Sequence, residues 1–255
     1  MVTFIILVIF LGLAAALAWY LVAHDHGEKE PVLALWSAAG LGFAGALVAA
    51  VVENHLINAG SMQAGAPHGL MLKSSMAVGV IEETCKFLPL ALFIYGRHFF
   101  NEHTDGVIYF ALAGLGFGLP ENLLYTVQFG SKAGVARLLL TPLFHAATTG
   151  TIGYFLAKRK LARKTAWPAA LPLLAMMLLH GFYDFGLAAG VPLYTGISLL
   201  ITLGLSGGLF FLYQRATNLD QFMGLSVAGH NAFCRACGFP NPKHHLYCTN
   251  CGEHA

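Results

Sequence analysis

Apolar runs long enough to cross a bilayer recur seven times along this chain, at about residues 2–22, 32–52, 69–95, 105–127, 134–157, 166–189 and 192–213. A helical crossing of the hydrocarbon core needs about 20 apolar residues. Charged residues make up only 10% of the chain and apolar residues 57%, whereas soluble domains are about 25% charged. The expected fold is an all-α polytopic membrane bundle of about seven transmembrane helices, followed by a small C-terminal module. An eighth span or a re-entrant segment is the alternative topology. The third run is the least apolar. The first run carries "ALA" at 15–17, which resembles a signal-peptide cleavage site. It lacks a basic leading region and exceeds the usual length of a signal core, so a retained span is expected.

Lysine and arginine collect in cytoplasmic loops. The segment "KRKLARKT", residues 158–165, carries five of them and is placed inside. Counting spans from there puts the N-terminus outside and the C-terminus in the cytoplasm. Arg97 falls inside, whereas Lys132 and Arg137 fall outside, against the rule. These features predict a multi-pass integral protein of a bacterial-type cell membrane, in contact with lipid and with no expected nucleic-acid partner. The net charge of +2 adds nothing about partners.

Residues 1–213 read as one membrane domain, 214–230 as a polar linker and 231–255 as a separate module. "GLGFAG", residues 40–45, fits the spacing of a dinucleotide fingerprint. That fingerprint works only between a strand and a helix. Inside an apolar helix, small residues instead let backbones approach closely. Gly114, Gly116 and Gly118 receive the same reading.

The C-terminal module contains Cys234-x-x-Cys237 and Cys248-x-x-Cys251. Two such knuckles supply the four sulfur ligands of a structural zinc. The alternatives are disulfides or redox C-x-x-C pairs, and a cytosolic location disfavours stable disulfides. A segment this short has little core, so the metal would supply its folding energy. The expected module is a zinc ribbon, with docking of a protein partner among its open roles. Cys85 stands alone and reads as an inert buried thiol.

Ionisable groups at membrane depth cost several kcal/mol and usually face a bundle interior or a wet cavity. Four clusters qualify. Glu82 and Glu83 are followed by Lys86, which can reach either on a helix. Two neighbouring carboxylates suit acid/base work, and a salt-bridge knot is the structural alternative. Glu121 and Asn122 follow Pro120, which either kinks a helix beside a cavity or starts one at the interface. His145 and Thr149 share a helix face, as do His180 and Asp184. A carboxylate beside a histidine commonly orients it toward a metal. Together these groups suit metal-assisted hydrolysis: histidines and carboxylates holding zinc, and a glutamate taking the proton from water. No H-E-x-x-H occurs.

Glu82-Glu83-x-x-Lys86, Phe117-x-x-x-Glu121, and the later pairs His145/Thr149 and His180/Asp184 resemble, in order and placement, the motifs of the PrsW family of intramembrane proteases. That family is related to the CAAX-prenyl and bacteriocin-processing endopeptidases. The resemblance covers about residues 1–213 and leaves the ribbon aside. It implies hydrolysis of peptide bonds in membrane-anchored proteins, such as anti-sigma factors. It implies Glu82 as the base, with Glu83 and Lys86 organising it. Glu121, His145 and His180 would hold a catalytic zinc or polarise water and the carbonyl, with Asp184 orienting His180. Related prenyl endopeptidases activate water with glutamate and histidine without a tightly bound metal, so a zinc here stays open. Glu121 stands where those relatives carry histidine. Two other readings remain: a non-catalytic scaffold or sensor that uses the ribbon for recognition, and a proton or ion transporter. No internal repeat of the transporter kind is present.

Overall fold

The computed structural model describes residues 2–63, 65–130, 135, 137, 140–222, 232–233 and 240–241. Among these residues it contains seven long helices: α1 (Val2–Ala23), α2 (Val32–Leu56), α3 (His68–Phe93), α4 (His103–Phe129), α5 (Leu140–Leu161), α6 (Ala170–Ala188) and α7 (Pro192–Phe222). Short 3₁₀ turns at Ala59–Met62 and Trp167–Ala169 precede α3 and α6. Ala232–Phe233 and Pro240–Asn241 pair antiparallel. All four cysteines of the expected zinc ribbon lie outside the described residues, as do residues 223–230 of the expected linker, whereas 214–222 continue α7.

Five of the helices, α1, α2, α4, α6 and α7, are long and apolar enough to cross a membrane. The sequence reading counts α3 and α5 as spans too, and each fails on apolarity for its own reason. Glu82, Glu83 and Lys86 interrupt α3. The first half of α5 is rich in threonine and carries His145. It can be so because it is buried along nearly its whole length, from Thr141 to Ala157. A helix at the centre of a bundle faces protein rather than lipid, so small and polar residues cost it little there.

α4 and α5 form the most extensive contact, and α1, α2, α6 and α7 surround them with α3. The central pair is antiparallel and pressed together at glycine. A Cβ added to Gly114 would lie 2.2 Å from the His145 carbonyl oxygen. In the same way Gly42 and Gly45 bring α2 against Ala113 of α4 and Cys85 of α3. The "GLGFAG" segment is therefore a packing surface in mid-helix.

Pro120 does not break or start a helix: α4 runs through it without interruption. Proline lacks the N–H that would bond four residues back, so the Gly116 carbonyl is left free in a helix its neighbours hold in place. Pro89 does the same to the Cys85 carbonyl inside α3, and Gly45 packs directly on that oxygen.

The two ends of the bundle differ. At one end the turns after α1 and α3 meet the ends of α5 and α7. Asp220 of α7 accepts from the backbone N–H groups of His103 (2.8 Å) and Thr104 (2.9 Å). Glu102 and Asp105 complete a capping box at this start of α4. Glu28 donates its N–H to Glu102, and Asn101 donates to Glu28. Lys160 donates to the carbonyls of Tyr95, Arg97 and Phe100. The other end holds the polar cluster described next.

Candidate active site

Consecutive turns of α3 aim Glu82, Glu83 and Lys86 into the bundle, where all three are buried. An ammonium in an apolar interior needs acceptors on every side. Lys86 Nζ has them: Glu83 Oε1 at 2.9 Å, Glu82 Oε2 at 3.2 Å and His145 Nδ1 at 2.8 Å. Its remaining side rests on the Phe117 ring, 4.2 Å from the centroid. One lysine thus ties α3 to α4 and α5.

The two glutamates divide. Glu83 is wholly buried and bonded to Lys86 and to His180 Nδ1, at 2.7 Å. It is a fixed brace. Glu82 faces His180 Nε2 at 3.4 Å, the nitrogen that also lies 3.6 Å from Asp184 Oδ2. Because Glu83 fixes Nδ1, the other nitrogen of His180 points toward Glu82 and Asp184. The ring is clamped by Phe144, which stacks on Tyr183 at 4.0 Å and meets His180 edge-on at 4.9 Å.

His145 is engaged at both nitrogens, by Lys86 and by Glu121 Oε2 at 2.5 Å. Glu121 in turn pairs with Arg137, whose guanidinium lies 4.0 Å over the Tyr125 ring. Thr149 lies one turn beyond His145, buried, with no hydrogen-bond partner for its hydroxyl among the described residues. Thr148 instead bonds the His145 carbonyl.

The structure therefore draws Glu82, Glu83, Lys86, Glu121, His145, His180 and Asp184 into one connected cluster from four helices. Two participants escape a sequence reading. Arg137 looks like an orientation charge on the wrong side of the membrane, and that mismatch was its signal: it is turned inward onto Glu121. Glu53, near the end of α2, lies within electrostatic reach of Glu82, Glu121, Asp184 and Lys86.

Ligand atoms of Glu82, His145 and His180 all lie within 4.8 Å of one another. Two imidazoles and a carboxylate are the donor types of a catalytic zinc. The expected trio had Glu121 in the place of Glu82. Glu121 is instead occupied by Arg137 and His145. The donor set fits a metal in type and spacing. Lys86, however, holds two of the same donors, so a metal and the ammonium would compete for them.

Residues 30–209 match the family model described as PrsW family intramembrane metalloprotease. The chain is 32% identical over 181 residues to "Protease PrsW" of Bacillus subtilis, a match covering 68% of this chain and 78% of that protein. "Protease PrsW" of Geobacillus kaustophilus is 33% identical over 115 residues, 45% of this chain and 51% of the relative. The protein of that name from Clostridioides difficile is 25% identical over 174 residues, 66% and 72% of the two chains. No solved structure gives a significant match. A buried Glu/His cluster carried by membrane helices and a family match spanning most of the chain agree: the protein is a multi-pass membrane protease of the PrsW family.

Proposed function

We propose that this protease hydrolyses peptide bonds of membrane-anchored proteins with a water activated by Glu82. The observation that supports this most is the division between the adjacent glutamates. Glu83 is consumed in bracing Lys86 and His180, which leaves Glu82 facing His180 Nε2 across 3.4 Å. A water seated beside this pair and bonded to both groups would give its proton to Glu82 while its oxygen attacks the carbonyl carbon. The attacked carbonyl gathers negative charge, and Lys86, already in the cluster, is the cation nearest to Glu82 that can stabilise it. Asp184 supports His180 from the next turn. Glu121, held by Arg137, fixes His145. Where a metal is bound, Glu82, His145 and His180 would hold it, and it would lower the pKa of its water and polarise the carbonyl.

The scaffold or sensor alternative predicts no need for this chemistry, and no observation favours it. In the proposed arrangement all seven helices cross the membrane. The end that gathers the turns after α1 and α3 with Lys160 and Asp220 then faces the cytoplasm, and the active site lies in the outer half of the bilayer. Meeting of those segments at one end is what this parity requires. The C-terminal cysteines would bind a structural zinc in the cytoplasm and offer a docking surface. The test is cleavage of a single-span substrate in proteoliposomes. His180→Ala should abolish it while the protein still inserts; cleavage that survives refutes the site.

A further inference from the structure

None of the sequence motifs includes α2, yet α2 delivers a carboxylate to the site. Gly42 and Gly45 seat this helix tightly on α4 and α3. Eight residues beyond Gly45, about two turns, Glu53 lies within electrostatic reach of Glu82, Glu121, Asp184 and Lys86. The other site carboxylates have assigned neighbours. Lys86 serves Glu82 and Glu83, Arg137 serves Glu121, and His180 adjoins Asp184. Glu53 alone among them forms no ion pair among the described residues, and its Oε1, like Glu83 Oε2 and Asp184 Oδ2, is buried with no hydrogen-bond partner.

Helix stability does not explain Glu53. It sits in the last turns of α2, where the helix dipole disfavours negative charge. A buried acceptor left unmatched is a cost that a ligand's donor removes on binding. The substrate of an intramembrane protease brings donors of one kind. A membrane span offers few polar side chains, but its scissile stretch must leave the helix to be cut. Each unwound residue then carries an N–H with no water to bind.

We propose that Glu53 is a substrate-positioning residue that accepts a backbone N–H from the unwound segment of the substrate, holding it on the α2 side of the cluster. The proposal rests on the protease reading for the identity of the ligand, but its test is a binding measurement.

The probe is a fluorescent single-span synthetic peptide in nanodiscs with the full chain carrying Glu82→Gln, so that bound peptide is not consumed. Adding Glu53→Leu should weaken binding by about threefold to tenfold, the range for a hydrogen bond to an uncharged acceptor. Glu53→Gln retains an oxygen acceptor and should recover most of the affinity, which a purely structural role would not predict. A set of peptides N-methylated one residue at a time should contain one position at which methylation weakens binding in the parent and has no further effect in Glu53→Leu. Equal affinity of Glu53→Leu and the parent overturns the proposal, as does a methylation effect that adds fully to the Glu53 substitution at every position. If the chain with Glu82 intact leaves the peptide uncut while Glu53-dependent binding persists, the hydrolysis reading falls and this one stands.

Discussion

Lys86→Met removes the ammonium and keeps most of the side-chain volume, so it isolates the charge at the centre of the cluster. Three contacts at 2.8–3.2 Å disappear together, and Glu82 and Glu83 are left buried without their shared cation. Removing one partner of a buried pair costs about 3–5 kcal/mol, chiefly from the charge left behind. Against a total stability of about 5–15 kcal/mol this is severe. The assay is unfolding in bicelles titrated with a denaturing detergent. A second variant separates charge from packing. Adding Glu83→Gln to Lys86→Met removes one of the two stranded charges while keeping an acceptor for His180, and should restore part of the stability but no activity. A loss below about 1 kcal/mol for Lys86→Met, the scale of an exposed ion pair, would refute the reasoning, because the ammonium would then be solvated rather than held by the site.

Three other outcomes follow from the packing and charge pattern. Gly114→Ala places a methyl group 2.2 Å from the His145 carbonyl oxygen; overpacking of this kind costs about 1–3 kcal/mol, and cleavage should fall with stability, whereas Gly12→Ala, in open space, should change neither. Burial pushes the Glu102 carboxyl up to about 9 from an ordinary 4.5. The folded state therefore holds a proton that the unfolded state releases, so stability should fall as pH rises from about 4.5 to about 9, and Glu102→Gln should flatten that slope in thermal unfolding. Cys234→Ser with Cys248→Ser should release a zinc ion measurable by atomic absorption while cleavage by the membrane domain is retained.

Five of the helices were legible because each is apolar for about twenty residues, and α3 and α5 were legible as long, mainly apolar runs although charge and threonine dilute them. Their roles in packing were not. Nothing in the α5 sequence says that it is the buried centre, although threonine and glycine where lipid-facing leucine would serve are the trace of it. The motif residues were legible because an idle charge at membrane depth is costly. Glu53 escaped because the second apolar run ends at about residue 52, so its glutamate passed for a flank. Arg137 escaped because a charge near a span is first read as an orientation signal. Pro120 was expected to break or start a helix, and neighbours on both sides carry α4 through it.

The central claim is that Glu82 activates water while Glu83 braces the site. Cleavage rates of a membrane-anchored reporter in proteoliposomes, measured for Glu82→Gln at matched insertion, test it most directly. Loss of a positioned general base should lower kcat by at least about a hundredfold, with substrate still bound. A rate for Glu82→Gln equal to that of the unaltered protein would contradict the account.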